Sequence, residues 1–151
     1  MTKKIEIGNI FQLDTSKGKA YIQYVYEHES LGEYVKVFYN LYDVEPKDFS
    51  RITKEEDFFY INFALRAAMK LNIIKKVGNI AISKDFILPS FFREEHLFKE
   101  NWWQIVDTKT WHRESVKTLS EEQKKLSPWG MWNDTLLIEN LEKGWRLENW
   151  I

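Results

Sequence analysis

Three short runs rich in β-branched and aromatic residues, within the first forty-two positions, most constrain the fold of this chain. They are "IEIGNIFQL", "AYIQYVY" and "YVKVFYNLY", and the polar stretches "DTSKG" and "EHESLGE" separate them. Side chains that alternate with a period of two point to opposite faces of a β-strand. Short strands joined by turns pair most simply with their neighbours in sequence. The N-terminal third therefore predicts an antiparallel sheet, with a bulge at Gly8-Asn9.

The middle of the chain predicts a shorter strand, a helix and a second strand. Residues 58–61 are apolar and aromatic, residues 63–71 favour a largely buried helix that stops at Asn72, and residues 73–82 return to strand. The following segment, residues 83–101, shows little periodicity and predicts an irregular surface stretch.

The last third predicts two strands and two helices. Residues 102–106 and 110–116 flank the turn "DTKT". Ser120 and Gln123 have the spacing of a capping box that begins a short helix. Asn133 caps a final helix that ends at Gly144. We therefore predict an α+β fold, mainly antiparallel β: an SH3-like small barrel or a curled sheet, with short helices and a C-terminal helix. Residues 1–151 are predicted to form a single domain.

Composition excludes several classes of site. The chain has no cysteine, which excludes disulfides, zinc–thiolate sites and thiol nucleophiles. Residues 1–75 carry 11 basic and 11 acidic groups, and residues 76–151 carry 11 and 12. Nucleic acid is therefore an unfavoured partner, because proteins that bind it usually show a basic excess or stripe. The N-terminus lacks a secretory signal, and no apolar run approaches the roughly 20 residues that span a bilayer. These features predict a cytoplasmic protein without membrane contact.

All seven tryptophans lie in the last third of the chain, at positions 102, 103, 111, 129, 132, 145 and 150. Their spread over strands and helix ends favours a core layer over a cage for a cationic ligand. One or two of them are candidates for exposed recognition residues.

Catalytic and metal motifs are weak. His28, His96 and His112 are too far apart in sequence for a known metal signature. His112 and Glu114 would share one face of a strand and could act as base and carboxylate in a metal-free nuclease, with His96 as a further candidate. A solvated polar face is the simpler explanation of these residues. We predict no cofactor, no metal and no catalytic residue.

One region is strongly acidic and aromatic. Between Glu27 and Asp48 lie six acidic residues and only two lysines, interleaved with tyrosines and phenylalanine. Acidic groups around aromatic side chains suit a protein partner with a basic surface. The predicted partner-binding residues are Glu29, Glu33, Asp43 and Glu45. Two ordinary acidic loops would give the same pattern.

The chain resembles the immunity protein 26 family of bacterial polymorphic toxin systems. The resemblance rests on "IEIGNIFQL", "GKAYIQYVY", "GEYVKVF", "FFYINFALRAAMKLNIIKKVGNIAI", "PSFFR" and "LEKGW", which together span nearly the whole chain. The chain departs from the family at Ala64, where we expect proline, so the local turn should differ.

The resemblance implies a protein that is not an enzyme and that binds and neutralises a cognate toxin by stoichiometric protein–protein interaction. It transfers no catalytic or toxin-binding residue. The alternatives are a small-barrel module that binds nucleic acid or a peptide, and a metal-free nuclease that uses His112 and Glu114.

Overall fold

The computed structural model describes residues 4–151, which form two antiparallel sheets. The first sheet has five strands in the spatial order β4-β3-β2-β1-β5: β1 (Asn9–Thr15), β2 (Gly18–His28), β3 (Gly32–Phe38), β4 (Phe58–Asn62) and β5 (Lys75–Asn79). The second has three strands in sequence order: β6 (Phe91–Glu95), β7 (Trp103–Asp107) and β8 (Arg113–Val116). Three α-helices accompany them: α1 (Ser50–Thr53), α2 (Leu65–Lys70) and α3 (Asp134–Lys143).

The middle of β2 is buried on both faces, so the first sheet is covered on both sides. On one face Ile22 and Tyr24 belong to the main core, which also includes residues of α2 and α3. On the other face Tyr21 packs with Phe38 and Ile52, the latter from α1. Burial on both faces explains why the apolar residues of β2 run continuously instead of alternating with charges.

These elements confirm the predicted α+β class with mainly antiparallel strands. Neither sheet closes, since β4 and β5 lie at opposite edges of the first sheet, so the structure matches the predicted curled sheet. The last helix is confirmed at both ends: Asn133 Oδ1 accepts the Leu136 amide at 2.8 Å, and Gly144 adopts a left-handed backbone with φ of 73°. Asn72 follows α2 with a positive φ of 56°, which agrees with its predicted role as a stop.

The prediction for residues 83–101 was wrong, because β6 lies within them. Its consecutive residues Phe92 and Arg93 are both fully buried on opposite faces of the strand. A strand that buries an arginine shows no apolar alternation, which hid it in the sequence. The strand predicted over residues 110–116 is also shorter than expected and begins at Arg113. The capping box forms, but it begins a 3-10 helix (Gln123–Lys125).

Residues 127–132, which we call the strap, connect the two sheets. The strap bonds the outer edge of β6, where the Arg93 amide donates to Ser127 O at 3.0 Å and the Trp129 amide donates to Arg93 O at 2.7 Å. It also bonds the outer edge of β4, where the Trp132 amide donates to Asn62 O at 3.0 Å. The strap therefore covers one edge of each sheet and holds the sheets side by side.

Arg93 fixes the C-terminal segment to this frame. Its guanidinium donates to four backbone carbonyls, those of Lys124 and Leu147, both at 2.8 Å, and of Leu126 and Trp150. No carboxylate pairs with it among residues 4–151, and burial lowers its pKa to about 10. Because the carbonyls belong to residues 31 to 57 positions later in sequence, this side chain joins β6 to both 3-10 helices, Gln123–Lys125 and Leu147–Asn149.

None of the helices in residues 4–151 is long and apolar enough to cross a membrane.

Candidate protein-binding surface

Four aromatic side chains form a continuous row across the junction of the two sheets. Tyr26 and His28 come from the end of β2, Trp111 from the turn between β7 and β8, and Trp129 from the strap. Successive ring centroids lie 6.5, 5.8 and 5.9 Å apart in edge-to-face contacts. We call this row the Trp111 surface. Edge-to-face geometry at these separations is favourable for aromatic pairs, so the row is a preformed apolar feature.

Trp111 is the most exposed tryptophan, with 48% of its surface accessible. Its φ of 63° is in the left-handed region. A bulky L residue rarely adopts this region, because the backbone and Cβ clash at a cost of about 1–2 kcal/mol. A strained backbone that presents a large apolar side chain to solvent is typical of a functional position.

The turn that holds Trp111 is built by Asp107. The Trp111 amide donates to Asp107 O at 2.8 Å, and the Lys109 amide donates to Asp107 Oδ1 at 2.8 Å. Hydrogen bonding from the Lys109 amide lowers the pKa of the Asp107 carboxyl. The carboxylate thus stabilises the turn that forces Trp111 into its conformation.

His28 supports the other side of the Trp111 ring. Its Nδ1 accepts the amides of Ser30 at 3.1 Å and Leu31 at 3.2 Å. These two donors assign the proton of the neutral ring to Nε2. The imidazole is therefore fixed in orientation by the turn between β2 and β3, and its contact with Trp111 is preorganised.

Two arginines near the sheet junction pair with carboxylates: Arg66 on the face of the first sheet opposite to Tyr26 and His28, and Arg113 beside Trp129. Glu27 and Glu33 lie directly opposite each other on β2 and β3, and Arg66 contacts both, at 3.6 and 2.7 Å. The hydrogen bond to Glu33 raises the pKa of Arg66. Arg66 therefore offsets the repulsion that two like charges would have at a cross-strand pair.

On the second sheet Arg113 pairs with Glu94, and its guanidinium lies 5.9 Å from the Trp129 ring. Arg113 also contacts Gln104 Oε1 at 3.3 Å. Burial raises the pKa of Glu94 in spite of the arginine beside it. The charged groups beside Trp129 are therefore mostly paired within the protein.

The four predicted partner-binding acids do not form one surface. Glu29 follows the His28 end of β2, and Glu33 lies on β3 opposite Glu27. Asp43 and Glu45 follow Tyr42, which bridges Lys19 at the other end of β2. An 11-residue strand separates the two pairs by roughly 30 Å at ~3.3 Å per residue. Glu29 lies in the turn directly after His28, whereas Glu33 points to the face of the first sheet opposite to Tyr26 and His28.

Asp43 and Glu45 border a different feature. Tyr42, exposed Val44 and Arg51 line a groove of about 670 Å³ beside α1. Glu45 is near Tyr21, whose pKa is raised to about 12 by burial first and by this carboxylate second.

Of the proposed nuclease residues, His112 is exposed with its amide donating to Thr110 Oγ1 at 3.3 Å, and His96 does not join Glu114. His96 Nε2 lies 3.2 Å from Ser115 Oγ, on the face of β8 opposite to that of the adjacent residue Glu114. His96 Nδ1 accepts the amides of Phe98 and Lys99, both at 3.0 Å. The neutral ring therefore carries its proton on Nε2 and donates to Ser115, so His96 is not placed to act as a base on this hydroxyl. Residues 4–151 contain no cluster of three potential metal ligands.

Most of the remaining tryptophans lie in the core, as predicted. Trp103 and Trp132 are each 8% exposed. Trp145 contacts both Trp132 and Trp150 at 5.2 and 5.8 Å, and Trp150 contacts Trp103 at 5.0 Å. Arg93 lies over the rings of Trp103 and Trp150 at 5.1 and 4.4 Å. We call Arg93 and these four tryptophans the Arg93 cluster.

Sequence reasoning missed His28, Tyr26, Trp129 and the individual role of Trp111. The sequence did contain one signal for Trp111. It is a single tryptophan directly after the polar turn "DTKT", where the core does not require an apolar side chain. Comparison of this chain with protein-family models, with curated proteins and with solved structures found no match.

Proposed function

We propose that this protein is an immunity protein that binds a cognate bacterial toxin and neutralises it by stoichiometric contact through the Trp111 surface. The observation that carries the proposal is a half-exposed tryptophan whose left-handed backbone lies in the Asp107 turn and whose ring contacts His28 of the first sheet and Trp129 of the strap. Tryptophan and tyrosine are the residues that most often dominate binding energy at protein interfaces. The sequence resemblance to an immunity family supports the same class of function.

The charges near this surface favour a partner with a basic contact region. Glu27 and Glu33 share one arginine on the opposite face of the first sheet, which leaves a net negative charge near this end of β2. Glu29 has no ion pair among the described residues and lies in the adjoining turn. These groups would steer a basic partner toward the Trp111 surface. The predicted cytoplasmic location fits a toxin that acts inside the cell, and it stays a prediction.

The alternative functions have less support from the geometry. Arg113, the arginine beside Trp129, is paired with Glu94, whereas a nucleic-acid interface depends on unpaired cations facing phosphates. A nuclease that added His96 to His112 and Glu114 would need His96 and Glu114 on one face of the second sheet, and they lie on opposite faces.

Co-expression with the toxin domain encoded by the adjacent gene tests the proposal. We expect restored growth and a purified complex of one copy of each protein. His112→Ala should protect cells as well as the wild type does. Absence of both growth rescue and association with that domain would refute the proposal. A gel shift with DNA or RNA at low salt, combined with that failure, would instead favour the nucleic-acid module.

A further inference from the structure

The outer edge of β8 is an open row of backbone hydrogen-bonding groups. The Asp107 amide donates to His112 O at 2.9 Å, and Ile105 is opposite Glu114 in the same register. Hydrogen-bonded and non-bonded pairs alternate along an antiparallel ladder. The backbone groups of His112 and Glu114 therefore point toward β7, and those of Arg113 and Ser115 point outward.

The pairing of β6 with β7 confirms this assignment independently. The His96 amide donates to Trp102 O at 2.9 Å, so Gln104, two positions along, bonds β6. Its neighbours Trp103 and Ile105 then bond β8 on the other side. No segment within residues 4–151 pairs with the outer edge of β8. Residues Arg113 through Ser115 are all exposed.

The other sheet edges differ from that of β8. The strap covers the outer edges of β4 and β6. The outer strand β5 begins with Lys75 and Lys76, and its pairing with β1 contains a register shift. Lysines and bulges are devices by which proteins prevent pairing at a sheet edge. Among the sheet edges formed by residues 4–151, only that of β8 therefore has open backbone groups directly beside an exposed aromatic row.

Pairing of β8 with a second copy of itself is electrostatically unfavourable. An antiparallel pair must place outward residues opposite each other. If Arg113 lies opposite Arg113 of the second copy, two cations face each other. If Arg113 lies opposite Ser115 of the second copy, the two Glu114 side chains face each other. If Ser115 lies opposite Ser115, Arg113 of each copy faces Lys117 of the other. Because each of these three registers, which pair Arg113 and Ser115 with one another, opposes like charges, they disfavour self-association and leave the edge available to a different chain.

We propose that the toxin docks on this protein by adding an extended segment to β8 as a fourth strand of the second sheet. The segment carries a lysine or arginine opposite Glu114 and an apolar residue that reaches Trp111. Backbone hydrogen bonds to Arg113 and Ser115 supply affinity, and the two side-chain contacts supply selectivity. This inference rests on the proposed function, since it names the part of the partner that the same surface receives.

Ser115→Pro tests the proposal with a matched control. Proline removes the outward amide of Ser115 without breaking a hydrogen bond to β7, a position where strands tolerate it. Ser115→Ala keeps the amide and removes only the hydroxyl contact with His96. We expect Ser115→Pro to weaken binding of the adjacent-gene toxin domain about tenfold. Ser115→Ala should stay within about twofold.

Amide hydrogen exchange in the wild-type protein gives a second readout that does not depend on whether Ser115→Pro folds. The amides of Arg113 and Ser115 should exchange rapidly in the free protein and slowly in the complex. Unchanged affinity of a folded Ser115→Pro variant, or rapid exchange of both amides in the complex, would overturn the β8 proposal while leaving the proposed function intact. Slow exchange in the free protein together with a dimer in sedimentation would overturn it in favour of a second copy.

A peptide probe distinguishes failure of the β8 docking proposal from failure of the proposed toxin-binding function. Displayed ten-residue peptides can be selected on the wild-type protein and compared on Ser115→Pro. Peptides that lose binding to the proline variant and protect the Arg113 and Ser115 amides would support the edge even if the toxin domain does not bind. If the toxin domain does not bind and every selected peptide binds both proteins equally, the β8 proposal fails together with the proposed function.

Discussion

The Arg93 cluster and the Trp111 surface use similar residues in opposite surroundings. Both consist of aromatic rings in edge contact with an arginine nearby. In the Arg93 cluster the guanidinium is fully buried and bonds four carbonyls of the chain itself. At the Trp111 surface the side chain of Arg113 is 41% exposed and pairs with a carboxylate, and the central tryptophan is half exposed.

The difference indicates that the tryptophan-rich last third of the chain contains two regions with different roles. The Arg93 cluster stabilises the fold, and the Trp111 surface is available for recognition. A buried arginine that satisfies four carbonyls would leave all of them unpaired if it were removed, which makes the Arg93 cluster costly to change. An exposed tryptophan on a strained backbone contributes little to stability and retains its surface for another molecule. Substitutions in the two regions should therefore have opposite effects on folding and on binding.

The largest expected effect is on stability. Arg93→Met should lower the free energy of unfolding by about 4 kcal/mol or more, because methionine cannot donate to the carbonyls of Lys124, Leu126, Leu147 and Trp150. Arg113→Met on the same sheet is the control, with a loss of about 1 kcal/mol or less, since its ion pair is partly exposed. Urea denaturation measures both. Equal losses for the two variants would remove the distinction between the regions.

Tryptophan truncation gives the next largest contrast. Trp103→Ala should cost about 3 kcal/mol, because it empties a buried site against Arg93 and Trp150. Trp111→Gly should stay within about 1 kcal/mol of the wild type, because relief of the left-handed strain offsets the lost ring contacts. Thermal and urea unfolding measure which of the two variants loses more stability. A Trp111→Gly loss as large as that of Trp103→Ala would assign Trp111 to the core.

Reversing the charge of single acidic residues tests where the interface lies. Glu29→Lys should slow association with the toxin domain about threefold at low salt and reduce the salt dependence of the rate. Glu45→Lys, at the opposite end of β2, should change the rate less. Stopped-flow association rates at two salt concentrations measure both variants. A larger effect of Glu45→Lys would move the contact to the groove beside α1.

Acid pH tests the turn that presents Trp111. The fold lowers the pKa of Asp107 through the Lys109 amide, so its contribution is present above the carboxyl's unfolded pKa and lost as pH falls through the folded one. Asp107→Asn still accepts this amide but does not titrate. We expect it to lose a smaller share of its stability between about pH 6 and pH 2.5 than the wild type does.

Identical acid profiles for Asp107→Asn and the wild type would show that the turn does not depend on this carboxylate.

Local signals predicted much of the fold, whereas long-range pairing did not show in the sequence. The alternation of β1 to β3 and the cap at Asn133 are read within a few residues, and both agree with the structure. The strand β6 was missed because Arg93 looks polar in sequence, and its acceptors lie more than thirty residues away. The strap was missed for the same reason, since its role depends on which sheet edges it meets.

The site was predicted less well than the fold. Residues Glu29 to Glu45 are close in sequence, but a strand hairpin and a loop carry the two pairs of acids to opposite ends of β2. Trp111 was assigned to a strand because its neighbours alternate. Its left-handed φ is set by the Asp107 turn, and nothing in the local pattern signals that conformation.

The affinity of Trp111→Ala for the toxin domain tests the central claim most directly, with Phe98→Ala as the control. Phe98 is 90% exposed but lies in the turn at the other end of the second sheet. Calorimetric titration should show Trp111→Ala binding at least about thirtyfold more weakly, equivalent to about 2 kcal/mol, while Phe98→Ala matches the wild type. A folded Trp111→Ala variant that binds the domain with wild-type affinity would contradict the account.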